Sequence, residues 1–166
     1  MCCCFLFRCA TIQLDFQLPI RFELEYKGSK DAMERPVMIH RAILGSVERF
    51  MSVLIEHTGG KWPFWLSPRQ IAVVPVADNY FAYARQVRDK LHAEGYYVDL
   101  DDSSKQFPKK VREAAMAQYN YILIVGEKEQ EAGTVNVRLR HDPEHPYEKK
   151  MDDLLVELKD VVAKFQ

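Results

Sequence analysis

At 166 residues the chain has room for one domain of ordinary size, or for part of one domain joined to a complete small one. Its 48% hydrophobic and 28% charged residues are the composition of a soluble globular protein, and its sequence contains no continuous apolar run long enough to span a bilayer, so no membrane partner is expected. A net charge of -1 excludes nucleic-acid binding by bulk electrostatics; any RNA contact has to come from a local basic patch on a nearly neutral body.

Cys2, Cys3, Cys4 and Cys9 all fall at the start of the chain, which is not the distribution of a disulfide framework and points to a reducing, cytoplasmic location. The opening M-C-C-C-F-L-F-R is too short for a secretory apolar region, and residues 1–8 read as an atypical N-terminus. Residues 11–16 (TIQLDF) and 21–26 (RFELEY) alternate as strands, with Leu18 and Pro19 as a turn or bulge between them, so an antiparallel pair is expected. In that alternation Gln13 and Asp15 share a face opposite Ile12, Leu14 and Phe16, and a polar face of this kind can simply meet solvent. Residues 27–35 are polar, contain Gly28 and read as a loop.

Residues 37–39 form a short apolar strand signal, interrupted by His40 and Arg41 before Ala42, Ile43 and Leu44. A histidine in such a strand is either a hydrogen-bonded core residue or a ligand, and spacing leaves both open. Gly45 and Ser46 end the strand. Val47, Phe50, Met51, Val53, Leu54 and Ile55 then fall at helical spacing, with Ser46 as N-cap, Glu48 in the first turn where the helix dipole favours an acid, and Gly59 and Gly60 as the stop. A strand, a Gly-Ser break and a helix with an early arginine suit nucleotide chemistry, because a guanidinium near open N–H groups can stack on a base or neutralise a phosphate.

Residues 59–68, rich in Gly, Pro and Trp, read as an ordered passage, with Trp62, Phe64 and Trp65 expected to pack one domain against the other. Beyond it the pattern turns regular. A buried strand is expected over 71–76, an amphipathic helix over 80–92 capped by Gly95, a strand over 96–100, a basic helix over 108–119, an apolar strand over 121–126, an alternating strand over 134–140 and a closing helix over 148–165. Alternating strands and helices imply a mixed sheet covered by helices, whose ligands gather beyond strand ends and at helix starts. Charges fall there: Lys105, Lys109, Lys110 and Arg112 along the basic helix, Glu127, Lys128 and Glu129 after the apolar strand, and Arg138 and Arg140 on one face of the alternating strand. They are either a solvated rim or a ligand surface.

The segment I-H-R-A-I-L-G-S-V-E-R-F (residues 39–50) resembles motif 3 of a class II aminoacyl-tRNA synthetase, in the form found in threonyl-tRNA synthetases. G-K-W-P-F-W-L-S-P-R-Q (60–70) resembles that family's passage into its anticodon-binding domain, and C-A-T-I-Q-L-D-F-Q-L-P-I-R-F (9–22) resembles the strands leading into motif 3. The resemblance implies an α/β fold class: a fragment of the class II antiparallel catalytic sheet (9–66), followed by a mixed-sheet α/β anticodon-binding domain (67–166). It also implies roles. Gln13, Gly45, Ser46 and Arg49 match residues that bind ATP or the adenylate, with Arg49 as the catalytic arginine that packs on adenine. His40 matches one ligand of a zinc ion that binds the substrate amino acid; its fellow ligands would lie upstream, so this chain alone is not expected to hold Zn2+. Arg112, Glu129 and Arg138 match residues that read the anticodon.

The implied function is that of the C-terminal portion of a threonine–tRNA ligase, whose complete form uses ATP and Mg2+ to attach threonine to tRNA(Thr). The alternative is a catalytically inactive truncated paralogue or isoform acting as a tRNA-binding or regulatory module. Partners implied are tRNA(Thr), threonine and ATP, with a homodimer or association with full-length enzyme. An isolated piece of the catalytic sheet is expected to expose strand edges and apolar area.

Overall fold

The computed structural model describes residues 10–29 and 31–165. The expected atypical N-terminus, and with it Cys2, Cys3, Cys4 and Cys9, lies outside the described residues. The chain divides into two compact units, Met1–Gly60 and Lys61–Gln166, so residues 61–66 fold with the second.

In the first unit β1 (Thr11–Asp15) pairs antiparallel with β4 (Met38–Ala42), Gln13 lying opposite His40 and Asp15 opposite Met38. The strand partner expected at 21–26 does not form. Asp15 Oδ1 accepts the N–H groups of Gln17 and Leu18 at 2.8 and 3.0 Å, which turns the chain into a short helix, α1 (Gln17–Arg21), and Glu23 then takes a left-handed conformation (φ 51°) that breaks the alternation. The expected loop after it is a minimal hairpin of β2 (Tyr26–Lys27) and β3 (Met33–Glu34).

Helix α2 (Val47–Thr58) begins as its sequence asks: Ser46 Oγ accepts the Arg49 N–H at 3.3 Å and Glu48 sits in the first turn. It ends at Gly59, which takes the left-handed conformation (φ 60°) that glycine adopts without strain. Its apolar stripe nevertheless stays open. Val47 is 68% exposed, α2 buries no residue, and Pro19 is the one buried residue among those described in this unit.

The second unit is a five-stranded sheet in the order β6-β5-β7-β8-β9, formed by β5 (Ile71–Pro75), β6 (Val98–Leu100), β7 (Tyr121–Val125), β8 (Thr134–Leu139) and β9 (Tyr147–Lys150). β5 is parallel to both β6 and β7; β8 and β9 run antiparallel. Helices α3 (Phe81–Ala93) and α6 (Met151–Ala163) cover one face, burying Val87, Leu91, Leu154 and Leu158 against Val73, Leu123 and Val137. On the other face α4 (Phe107–Met116) packs Ala114, Phe107 and Val111 over Ala72, Val74, Ile122 and Ile124. β5 and β7 are therefore buried on both sides, which is why they read as unbroken apolar runs.

Three expectations change here. Tyr147–Lys150 pairs with β8 as a fifth strand before the closing helix starts at Met151, its Tyr147 hydroxyl donating to Glu157 Oε1 at 2.9 Å. The charge run after β7 is a short helix, α5 (Glu127–Ala132). Phe64, expected at a junction, is a core residue of the second unit itself, its ring 5.2 Å from that of Tyr121 and 5.7 Å from that of Tyr96, while Trp65 meets Phe165 edge-on.

Candidate nucleic-acid interface

Pairing of β1 with β4 places Gln13, Asp15 and His40 on one face of the first unit. His40 is half exposed rather than buried in an apolar core, and its Nε2 lies 3.0 Å from Asp15 Oδ2. The Leu18 N–H, and after it the His40 ring, hold the Asp15 carboxyl below the usual carboxylate range. Among the described residues no group of three or more His, Cys, Asp and Glu is placed to hold a metal. Gly45 takes φ 68°, Ser46 spends its hydroxyl on the helix cap, and Arg49 stands exposed in the first turn of α2. A glycine turn, a capped helix start and a planar cation are groups that can meet a nucleotide's phosphate and base.

The second unit has a cavity of about 690 Å³ between α4 and the end of β8. Its polar lining comes from Lys61, Arg112, Gln118, Arg138, Arg140 and His141, over an apolar floor that includes Val111 and Ile122. No carboxylate lines it, and among the described residues none of its arginines or Lys61 is in an ion pair. Arg138 Nε is buried there without a hydrogen-bond partner. An uncompensated buried donor of this kind costs about 1–3 kcal/mol. Open donors over an apolar floor suit an unstacked base, whose face seeks apolar contact and whose edge carries acceptors.

The structure thus brings Arg112 and Arg138 into one cavity, and it leaves Glu129 out of that lining. Glu129 Oε2 accepts the Gly126 N–H at 3.0 Å and closes the first turn of α5, leaving its other oxygen for a partner. A Cβ at position 126 would crowd that closure, standing 3.1 Å from Glu129 Oε2 and 3.3 Å from Val76 Cγ2. Sequence reasoning did not single out Lys61, Gln118 or His141, which reach the cavity from three separate loops; only the fold joins them.

Comparison with known proteins follows the same division. Residues 70–165 match the family described as anticodon binding domain, and residues 2–58 the tRNA synthetase class II core domain (G, H, P, S and T). The mitochondrial threonine–tRNA ligase 1 of Arabidopsis thaliana is 54% identical over 160 residues, covering 96% of this chain and 22% of the relative. The cytoplasmic threonine–tRNA ligase of Saccharomyces cerevisiae is 61% identical over 136 residues, covering 80% of this chain and 18% of the relative. A solved structure of the RNA binding domain of threonyl-tRNA synthetase from Cryptosporidium parvum superposes with a TM-score of 0.86 at 44% identity, covering 92% of this chain and 39% of that one. The chain therefore spans between about a fifth and a third of the length of the curated relatives it matches.

Proposed function

The chain belongs to the threonyl-tRNA synthetase family, matching its C-terminal portion, and from that premise we propose that residues 61–166 bind the anticodon of tRNA(Thr). The observation that carries this reading is the cavity beside α4, free of carboxylates, which Arg112 and Arg138 both line. Arg112 and Arg138 offer forked donors to acceptors on a base edge, and Glu129, at the start of α5, accepts from an amino group. In the complete enzyme the activity is the attachment of threonine to tRNA(Thr) with ATP and Mg2+, in the cytoplasm. Residues of the first unit contribute to the nucleotide site. Arg49 stacks its guanidinium on the adenine, Gly45 and Ser46 let the backbone approach the adenylate, and Gln13 hydrogen-bonds to it. His40 would supply one imidazole to a zinc ion held together with further ligands of the complete enzyme.

Binding of anticodon stem-loop RNA tests the proposal. Cognate tRNA(Thr) sequence is expected to bind more tightly than the same stem with a swapped anticodon, and Arg138→Ala to remove about 1–3 kcal/mol of that discrimination. Equal affinity for both RNAs would refute the reading. The same chain is expected to show no threonine-dependent ATP–pyrophosphate exchange; measurable exchange would overturn the assignment of only a partial active site to it.

A second reading, a tRNA-binding or regulatory module that docks on full-length ligase, is favoured by the exposed apolar face of Ile12, Leu14 and Ile39 on the β1–β4 ribbon. Size-exclusion chromatography with and without full-length enzyme decides it, since a monomer indifferent to the enzyme rules docking out.

A further inference from the structure

Arg138 and Arg140 sit two apart in sequence at the end of β8, and alternation suggests two equivalent arms reaching the same ligand. Their hydrogen bonds divide them. The Arg138 Nε is buried without a partner, whereas Arg140 spends its guanidinium on the main chain: Nη2 donates to the Trp62 carbonyl at 2.8 Å and Nη1 to the Gln118 carbonyl at 3.3 Å. Its own N–H donates to the Asn120 carbonyl at 3.0 Å, and Asn120 Nδ2 donates to the same Trp62 carbonyl at 3.0 Å.

Three segments meet at this knot: the stretch at Trp62, the turn that ends α4, and the end of β8. The α4 end needs such help. Gln118 takes a left-handed conformation (φ 64°) that favours glycine, and the terminal carbonyls of a helix lack partners within it. Arg140 covers the Gln118 carbonyl, and Arg69 Nη1 covers that of Ala117 at 3.1 Å, so two guanidinium groups cap the negative end of the helix.

We propose that Arg140 is a positioning residue for anticodon recognition: its fork fixes the end of α4 against the end of β8, and so sets the spacing of Arg112 and Arg138 across the cavity. The inference rests on the anticodon-binding reading above and extends it, because Arg140 acts without touching RNA. A fork is required. Lysine keeps the charge but gathers its donors on one nitrogen, without the planar spacing by which Nη1 and Nη2 each meet a carbonyl.

The test compares Arg140→Lys, Arg140→Met and Arg112→Gln in the full chain, with cognate and swapped-anticodon stem-loop RNA titrated over a range of salt concentrations and amide hydrogen exchange followed without RNA. Both Arg140 variants are expected to exchange faster at the amides of Asn120 and of residue 140. Both are expected to bind cognate RNA roughly five- to tenfold more weakly with the salt slope unchanged, while Arg112→Gln, which removes a base-edge donor, also narrows the difference between cognate and swapped-anticodon RNA. A reduced slope in Arg140→Met would make Arg140 a direct RNA contact, and wild-type affinity in Arg140→Lys would show that the fork is not needed; either overturns the proposal. Faster exchange with undiminished RNA binding would reduce it to a structural residue, and unchanged exchange would dissolve the knot itself. If Arg140→Met fails to fold, Arg140→Lys alone decides. Failure of the wild-type chain to bind RNA sinks the anticodon reading instead, and the exchange arm still reports on the knot.

Discussion

The two units use the same kind of apolar pattern to opposite ends. In α6, Leu154 and Leu158 recur at helical spacing and both are fully buried, because the β5–β7 core stands beneath them; in α2, Val47, Met51 and Ile55 recur just as regularly and all remain exposed. The sheets repeat the contrast. Val73 and Leu123 lie between two layers of helix, whereas Ile12 and Ile39 share an exposed face of a two-stranded ribbon, exposed by 67% and 65%. Periodicity says which side of an element is meant to be covered, but the covering surface has to exist for burial to stabilise anything.

The widest break in that comparison comes from separating the units. Residues 61–166 alone are expected to unfold in one cooperative thermal transition, while residues 10–60 alone give none; a cooperative transition in the shorter piece would show that its exposed stripe is not the weakness inferred here. Single substitutions sharpen the point. Leu123→Ala, at a fully buried site, should cost about 2–5 kcal/mol by denaturant titration, whereas Met51→Ala, at an exposed one, should stay within about 0.5 kcal/mol. Ser46→Ala removes the cap that accepts the Arg49 N–H and should lower the stability of α2 by about 1 kcal/mol, read as faster amide exchange in its first turn only.

The smallest effect is alkaline. Burial, reinforced by a 2.6 Å hydrogen bond to Asp99, pushes the Tyr119 hydroxyl up to about 12. An unfolded tyrosine ionises near 10, so between about 10 and 12 the unfolded chain holds fewer protons and stability falls as pH rises. Tyr119→Phe should flatten that decline in a stability–pH profile, and an unaltered slope would remove Tyr119 from its cause.

Much of the second unit was legible because its signals are local. Apolar runs marked β5 and β7, the 3.6-residue stripe marked α3 and α6, and Ser46 with Glu48 marked the start of α2 in the first unit. What escaped depends on groups that act at a distance or over too few residues. α1 forms because the Asp15 carboxylate captures two backbone N–H groups, yet Asp15 also fits the strand alternation that was read through it. α5 has six residues, too few to show a helical period, and it is held by Glu129 bonding back to Gly126. β9 hides in a mixed, charged stretch whose strand character comes from pairing with β8. At the candidate site the resemblance pointed to Arg112 and Arg138, whereas Lys61 and His141 could not be found from spacing, since loops far apart in sequence carry them to one cavity.

Both acceptors of the Arg140 fork are carbonyl oxygens of the backbone, which every residue type supplies. The indole of Trp62 and the carboxamide of Gln118 are thus free to be exchanged over evolutionary time without undoing the grip, provided the main-chain path is kept. Arginine at position 140 should then outlast Trp62 and Gln118 in any set of descendants, an immobile word in a phrase whose other letters drift.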